Sequence, residues 1–322
     1  MAQECWTGAP RTSGTDPGSA SGFHHGLART PDPPTLVVVT PEELAEELDR
    51  VGYLADPGLA TAAFLALRMH RPLFCEGEPG TGKTSLAVAL ARALDLPLIR
   101  LQCHEGIDAS QALYDWDFPR QLLHLRALEA AGPVDAGAAE ASLYTRRFLL
   151  ARPLLQALEE APCVLLVDEV DRADDEFEAF LLEVLGENAV TIPELGRVTA
   201  ATPPLVVLTS NRTREVHDAL KRRCLYHWLD HPDLAREVAI LRRGLPGVDE
   251  RLATQVAGAV RRLRELDLVK PPGVAESIDW AAALLALGRT ELDAETAAAT
   301  LGAVLKYRED TRRALSAGVL AG

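Results

Sequence analysis

Residues 77–84 read Gly77-Glu78-Pro79-Gly80-Thr81-Gly82-Lys83-Thr84, and no other stretch constrains the chain as tightly. The octapeptide follows a short apolar run, Pro72 to Cys75, and opens into Ser85-Leu86-Ala87-Val88-Ala89-Leu90. The pattern predicts a strand, a glycine-rich turn and a helix running to about Leu94. Glycines let backbone N–H groups close around an anion without Cβ clashes, and the N-terminus of the following helix points its partial positive charge at the same place. Lys83 is expected to reach the β- and γ-phosphates of ATP and Thr84 to hold Mg²⁺, with residues 77–85, Ser85 included, forming the nucleotide loop.

A second run, Cys163 to Val167, is apolar throughout, as expected of a strand buried on both faces of a parallel sheet. It ends in Asp168-Glu169. Two adjacent carboxylates there are costly unless a cation is present. Behind a phosphate loop, Asp168 is expected to orient the Mg²⁺ water shell and Glu169 to polarise the attacking water. Leu205 to Ser210 reads as a further strand ending at Asn211, whose amide can position water against the γ-phosphate; an Asn in that place is otherwise a turn former.

The whole chain has 322 residues, 33 basic and 47 acidic, for a net charge of −14. That balance argues against a general nucleic-acid binder. No apolar run is long enough for a membrane span, and the first residues lack a secretory pattern, so the cytoplasm is the expected compartment. The five cysteines are scattered, with no pair at metal-ligand spacing. Cys75 and Cys163 are expected in the core.

Residues 1–34, rich in Gly, Ser, Thr and Pro, are expected to be a flexible tail in which His24-His25 is solvated. An α/β domain is expected over 35–231. Thr40-Pro41-Glu42-Glu43 starts its first helix, Gly52-Tyr53 breaks it, and Asp56-Pro57 starts a second running to Arg71. Leu96 to Leu101 reads as the second strand. An insertion over about 104–148 follows, in which Tyr114, Trp116 and Phe118 alternate with acids. That alternation predicts a local β-hairpin arm over 107–123; the competing expectation is that the aromatics fold onto the core. Gly132 to Ala141 reads as a loop and Arg147 to Glu160 as a helix. Residues 187–203 read as a short hairpin or loop, and a helix ending in Lys221-Arg222-Arg223 precedes a fifth strand, Leu225 to Leu229. Residues 232–322 show helical periodicity only, in four helices, the last from Asp293 to about Leu315.

The phosphate loop, the run VLLVDEVDRAD, the strand ending in Asn211 and ALKRR before a fifth strand together resemble an AAA+ ATPase over roughly 36–322. More narrowly the chain resembles the MoxR branch, and LQCHEGIDASQALYDWDFPRQLL with KPPGVAESIDWAAALL resemble the CoxD-type subgroup named for carbon monoxide dehydrogenase maturation. The resemblance implies a P-loop core with a five-stranded parallel sheet in order 5-1-4-3-2 and a helical lid, with nucleotide between them near Gly52-Tyr53. It implies a homo-oligomeric ring, usually hexameric, in which Arg223, or alternatively Arg222, completes the neighbour's site. It also implies a hairpin insertion after the second strand, a partner with a von Willebrand factor A domain and a metalloenzyme client, plausibly a molybdenum hydroxylase. A nucleotide-gated assembly scaffold, or general protein remodelling, is the alternative. One departure stands out: the branch commonly carries a lid arginine in an S-P-R pattern, and here Ser277 stands near that position.

Overall fold

The computed structural model describes residues 38–132 and 135–318; the expected tail and His24-His25 lie outside them. The chain opens with α1 (Pro41–Arg50) and α2 (Pro57–Met69). Thr40 and Glu43 form a reciprocal capping box on α1, and Asp56 caps α2. Then come β1 (Leu73–Gly77), α3 (Lys83–Ala93) and β2 (Leu98–Gln102). The insertion holds α4 (Ala109–Ala112), β3 (Tyr114–Trp116), α5 (Phe118–Ala131), α6 (Ala136–Leu143), β4 (Leu149–Ala151) and α7 (Pro153–Glu159). The core resumes with β5 (Val164–Asp168), α8 (Asp175–Glu187), the hairpin β6 (Ala189–Ile192) and β7 (Gly196–Thr199), β8 (Leu205–Ser210), α9 (Asp218–Arg223) and β9 (Leu225–Leu229). The rest is helical: α10 (Leu234–Gly244), α11 (Glu250–Arg264), α12 (Val274–Ala286), α13 (Ala294–Val304) and α14 (Arg308–Ser316).

The central sheet is parallel in the order β2-β5-β8-β1-β9. Counting these five strands along the chain gives 2-3-4-1-5, the expected order read from the other edge. Successive residues of β1 alternate between two cores. Phe74 packs with the α7–α9 side, and Leu73 and Cys75 pack with α1, α2 and α3. Burial pushes the Cys75 thiol up to about 12, so it is an inert core residue. The helices after β9 build a core of their own around Trp280, whose indole N–H donates to Thr300 Oγ1 at 2.7 Å.

Among the described residues, eight helices begin on an aspartate whose carboxylate accepts an amide of the first turn: Asp56, Asp108, Asp117, Asp135, Asp174, Asp233, Asp249 and Asp293. Part of the acidic surplus is thus spent on capping.

The insertion departs from the sequence reading. Residues 107–123 do not form a local hairpin. Asp117 caps α5 and Pro119 sits in its first turn, so the alternation stops at Trp116 and Phe118 lies exposed at the helix start. Tyr114 and Trp116 instead sit on β3, which pairs antiparallel with β4 across α5 and α6. The small residues after Asp135 form α6, because alanine favours helix and Asp135 caps it. Residues 147–160 are not one helix: Pro153 starts α7 after the strand. In the last region α13 and α14 are separate. Leu305 and Tyr307 are extended, which turns the buried Asp310 toward the amides of Val269 (2.7 Å) and Lys270 (3.1 Å).

Trp116 is half-buried and meets Tyr144 edge-on, with ring centroids 5.3 Å apart. It packs against the core with Tyr114. Trp116→Ala is therefore expected to cost about 2 kcal/mol, discounted for partial exposure, and to lower Tm by a few degrees in thermal unfolding. ATP turnover of the folded protein should be unchanged.

Candidate nucleotide site

The C-terminal ends of β1, β5 and β8 meet at one crevice, where open parallel sheets bind ligands. β1 delivers the phosphate loop. Gly77 is backed so closely by β9 that an added Cβ would stand 2.3 Å from the Leu229 carbonyl oxygen. Gly82 takes φ +95 at the start of α3, a conformation glycine adopts freely. Lys83 is buried and its Nζ donates to the carbonyls of Gly77 and Glu78, each at 2.7 Å. Burial draws its pKa down, opposed by nearby carboxylates of which Asp171 is the strongest.

β5 delivers the carboxylates. Asp168 is 2% exposed. Its Oδ1 accepts the hydroxyls of Thr84 (2.9 Å) and Thr209 (2.6 Å). A threonine hydroxyl beside a buried carboxylate is an all-oxygen donor set that suits Mg²⁺. Glu169 turns away from the strand in the left-handed region, φ +55, a conformation that costs a non-glycine residue of order 1 kcal/mol. That turn aims its carboxylate into the crevice, where it accepts Asn211 Nδ2 at 3.2 Å, Gln102 Nε2 at 3.0 Å and Arg172 Nε at 3.0 Å. The other acids of this stretch are structural. Asp171 accepts the amides of Asn211 and Thr213, and Glu178 accepts the amide of His217 and pairs with Arg214. They fix the loop that carries Asn211.

The lid touches the loop directly. Val274 N–H at the start of α12 donates to the Gly80 carbonyl at 2.8 Å. A Cβ on Gly273 would lie 2.6 Å from Gly80 Cα. The lid surfaces lining the phosphate crevice are Val274, Ala275 and Ile278. Ser277 is fully buried within the lid, where its hydroxyl donates to Glu237 Oε1 at 2.6 Å. Adjoining the phosphate crevice, a cavity of about 180 Å³ between core and lid is lined by Gly52, Tyr53, Gly82, Leu229 and Ile240, with Asp56, Asp230 and Arg236 also at its wall. Gly273→Ala keeps an acceptable backbone, φ −86, but sets its methyl against main chain that cannot yield. It is expected to weaken ADP binding by about tenfold, the equivalent of one lost hydrogen bond, in a fluorescent-ADP titration. Gly302→Ala, where a Cβ meets nothing within 4 Å, is the neutral control.

Arg222 and Arg223 do not line this crevice. They border a separate cavity of about 700 Å³ beside α8 and α9. Arg223 Nη1 donates to the Leu182 carbonyl at 2.8 Å, while the Arg222 side chain is 83% exposed. Helix α9 is tied to the phosphate-loop strand. Buried Glu76, next to Gly77, accepts Tyr226 Oη at 3.0 Å and faces Lys221 Nζ at 3.8 Å, and the Arg71 guanidinium donates to the carbonyls of Arg222, Arg223 and Cys224.

Sequence reasoning missed Thr209, Gln102, Arg172 and Arg100. The alternation along β2 held the signal for two of them, since Leu98, Arg100 and Gln102 share the face opposite Ile99 and Leu101.

Residues 72–224 match the family described as AAA domain (dynein-related subfamily). Gas vesicle ATPase GvpN1 of Halobacterium salinarum is 28% identical over 209 residues, covering 62% of this chain and 57% of that protein. Denitrification regulatory protein NirQ of Pseudomonas aeruginosa is 27% identical over 212 residues, covering 63% and 72%. The RuvB Holliday junction branch migration motor of Thermotoga maritima is similar over 86% of this chain and 70% of that chain, at 14% identity and a TM-score of 0.42. The chain spans a little over half the length of the gas vesicle relative. No helix among the described residues is long and apolar enough to cross a membrane. With the phosphate loop, paired carboxylates and strand order in place, the described residues adopt a P-loop α/β fold whose residues 72–224 match the AAA domain family.

Proposed function

We propose that this chain is a MoxR-type AAA+ ATPase that works as a homo-oligomeric ring, hexameric by analogy. It remodels a metalloenzyme of the CO dehydrogenase or molybdenum hydroxylase kind during cofactor maturation, with a von Willebrand factor A domain partner. In this reading residues 77–85 bind the phosphates of ATP and Gly52-Tyr53 border the purine. Thr84 and Asp168 hold Mg²⁺, which screens the charge that develops on the phosphates. Glu169 takes the proton of the attacking water, Asn211 orients that water, and Arg223 serves the neighbouring site, with Arg222 as the alternative. The single observation that carries the hydrolytic reading is the joint grip of Asn211 and Gln102 on Glu169, in the crevice that Thr84 and Asp168 also line. GvpN1 and NirQ, an ATPase and a regulatory protein by name, support the branch. The CoxD-type subgroup rests on the sequence runs at 101–123 and 270–285.

The test is reconstitution: purified chain, von Willebrand factor A partner and cofactor-deficient CO dehydrogenase, with ATP. Activation of the client that needs ATP and disappears with Glu169→Gln supports remodelling. Activation that survives Glu169→Gln shows a nucleotide-gated scaffold instead. Brisk ATP turnover with no activation of the client removes the maturation reading.

A further inference from the structure

Asp168 raises a problem of charge. A buried, ionised carboxylate costs several kcal/mol unless a cation compensates it. The hydroxyls of Thr84 and Thr209 on its Oδ1 carry no charge. Its ion pair among the described residues is on the other oxygen, where Arg100 Nη2 stands 2.5 Å from Oδ2. Arg100 comes from the edge strand β2, on the face opposite Ile99 and Leu101. The same Nη2 donates to Gln102 Oε1 at 2.6 Å, and Gln102 in turn donates to Glu169. The two ends of the ion pair differ in exposure: the Arg100 side chain is 52% exposed and Asp168 2%.

We propose that Arg100 is the resident counter-ion of the metal-binding carboxylate, displaced when nucleotide-bound Mg²⁺ arrives. The inference rests on Thr84 and Asp168 holding the metal. The exposure difference sets the direction of exchange. The guanidinium returns to water at little cost, whereas the carboxylate always needs a positive neighbour. Arg100 holds Asp168 in place in the nucleotide-free protein. The apparent Mg²⁺ affinity then includes the cost of evicting it, which makes Arg100 a positioning residue.

The experiment uses the full chain and a fluorescent ADP analogue, titrated with MgCl₂ from an EDTA-containing solution, with Tm measured in EDTA and in saturating Mg²⁺ and ADP. Arg100→Met should bring the Mg²⁺ midpoint of ADP binding down by on the order of 10-fold, the scale of a close charge pair. It should lower Tm in EDTA, and the deficit should vanish with Mg²⁺ and ADP. Arg100→Lys, which keeps the charge, should fall between Arg100→Met and the wild type. An unchanged midpoint in Arg100→Met overturns the proposal. So does a Tm deficit that persists with Mg²⁺ and ADP, which would mark a packing role, or Arg100→Lys behaving as Arg100→Met. Wild-type ADP binding indifferent to Mg²⁺ would instead remove the metal assignment at Thr84 and Asp168.

Discussion

Glu169→Gln is expected to bind ATP as the wild type does and to turn it over about 10²–10⁴-fold more slowly, the usual contribution of a positioned base. The geometry explains why the loss falls on turnover. The amide keeps the size of the carboxylate and its oxygen can still accept Asn211, but it takes no proton. Its nitrogen would also face Gln102 and Arg172, both donors, where Glu169 now accepts. Lys83→Ala is the contrasting case. It deletes the ammonium that lies against the loop carbonyls and is expected to lose ATP binding itself. Phosphate release at saturating ATP, alongside a nucleotide titration, separates the two. Glu169→Gln turning over at the wild-type rate would move the base elsewhere.

Arg223→Ala should leave nucleotide affinity nearly intact and depress turnover by roughly 10³–10⁵, as arginine fingers do. One of its five N–H donors is committed to the Leu182 carbonyl. That bond holds the guanidinium in a fixed direction and leaves other donors free, which is the preorganisation a transition-state contact needs. Arg222, 83% exposed and 3.9 Å from Asp218, has no such hold, so Arg222→Ala should cost less. Mixing Arg223→Ala with Lys83→Ala should restore part of the activity, since one brings the finger and the other an intact site. Absence of rescue at every ratio, with assembly verified by light scattering, would count against a shared site at Arg223.

Much of the core was legible because its signals are local. The phosphate loop is defined by glycines that only one backbone path satisfies, and β5 by an apolar run ending in acids. The insertion was less legible because β3 finds its partner 33 residues on, across two helices, and a three-residue strand has no pattern of its own. The cues that would have corrected it were caps: Asp117 before Pro119, and Asp135 before a run of alanines. The lid contact at Gly80 and Gly273 was hidden for a different reason. It is made by main chain, and two glycines some 190 residues apart carry no periodicity that could announce it. Arg100 escaped because a charge on an edge strand is ordinarily solvated.

The tether between β1 and α9 bears on timing. Glu76 is one residue from the phosphate loop and Lys221 one residue from Arg222, and buried Glu76, which also accepts the hydroxyls of Tyr226 and Ser210, faces Lys221 at 3.8 Å. Tyr226 remains a donor throughout, since burial and the Glu76 carboxylate push its pKa up to about 12. In the proposed ring, each subunit's own loop movement would therefore pass straight into the arginines it lends to its neighbour.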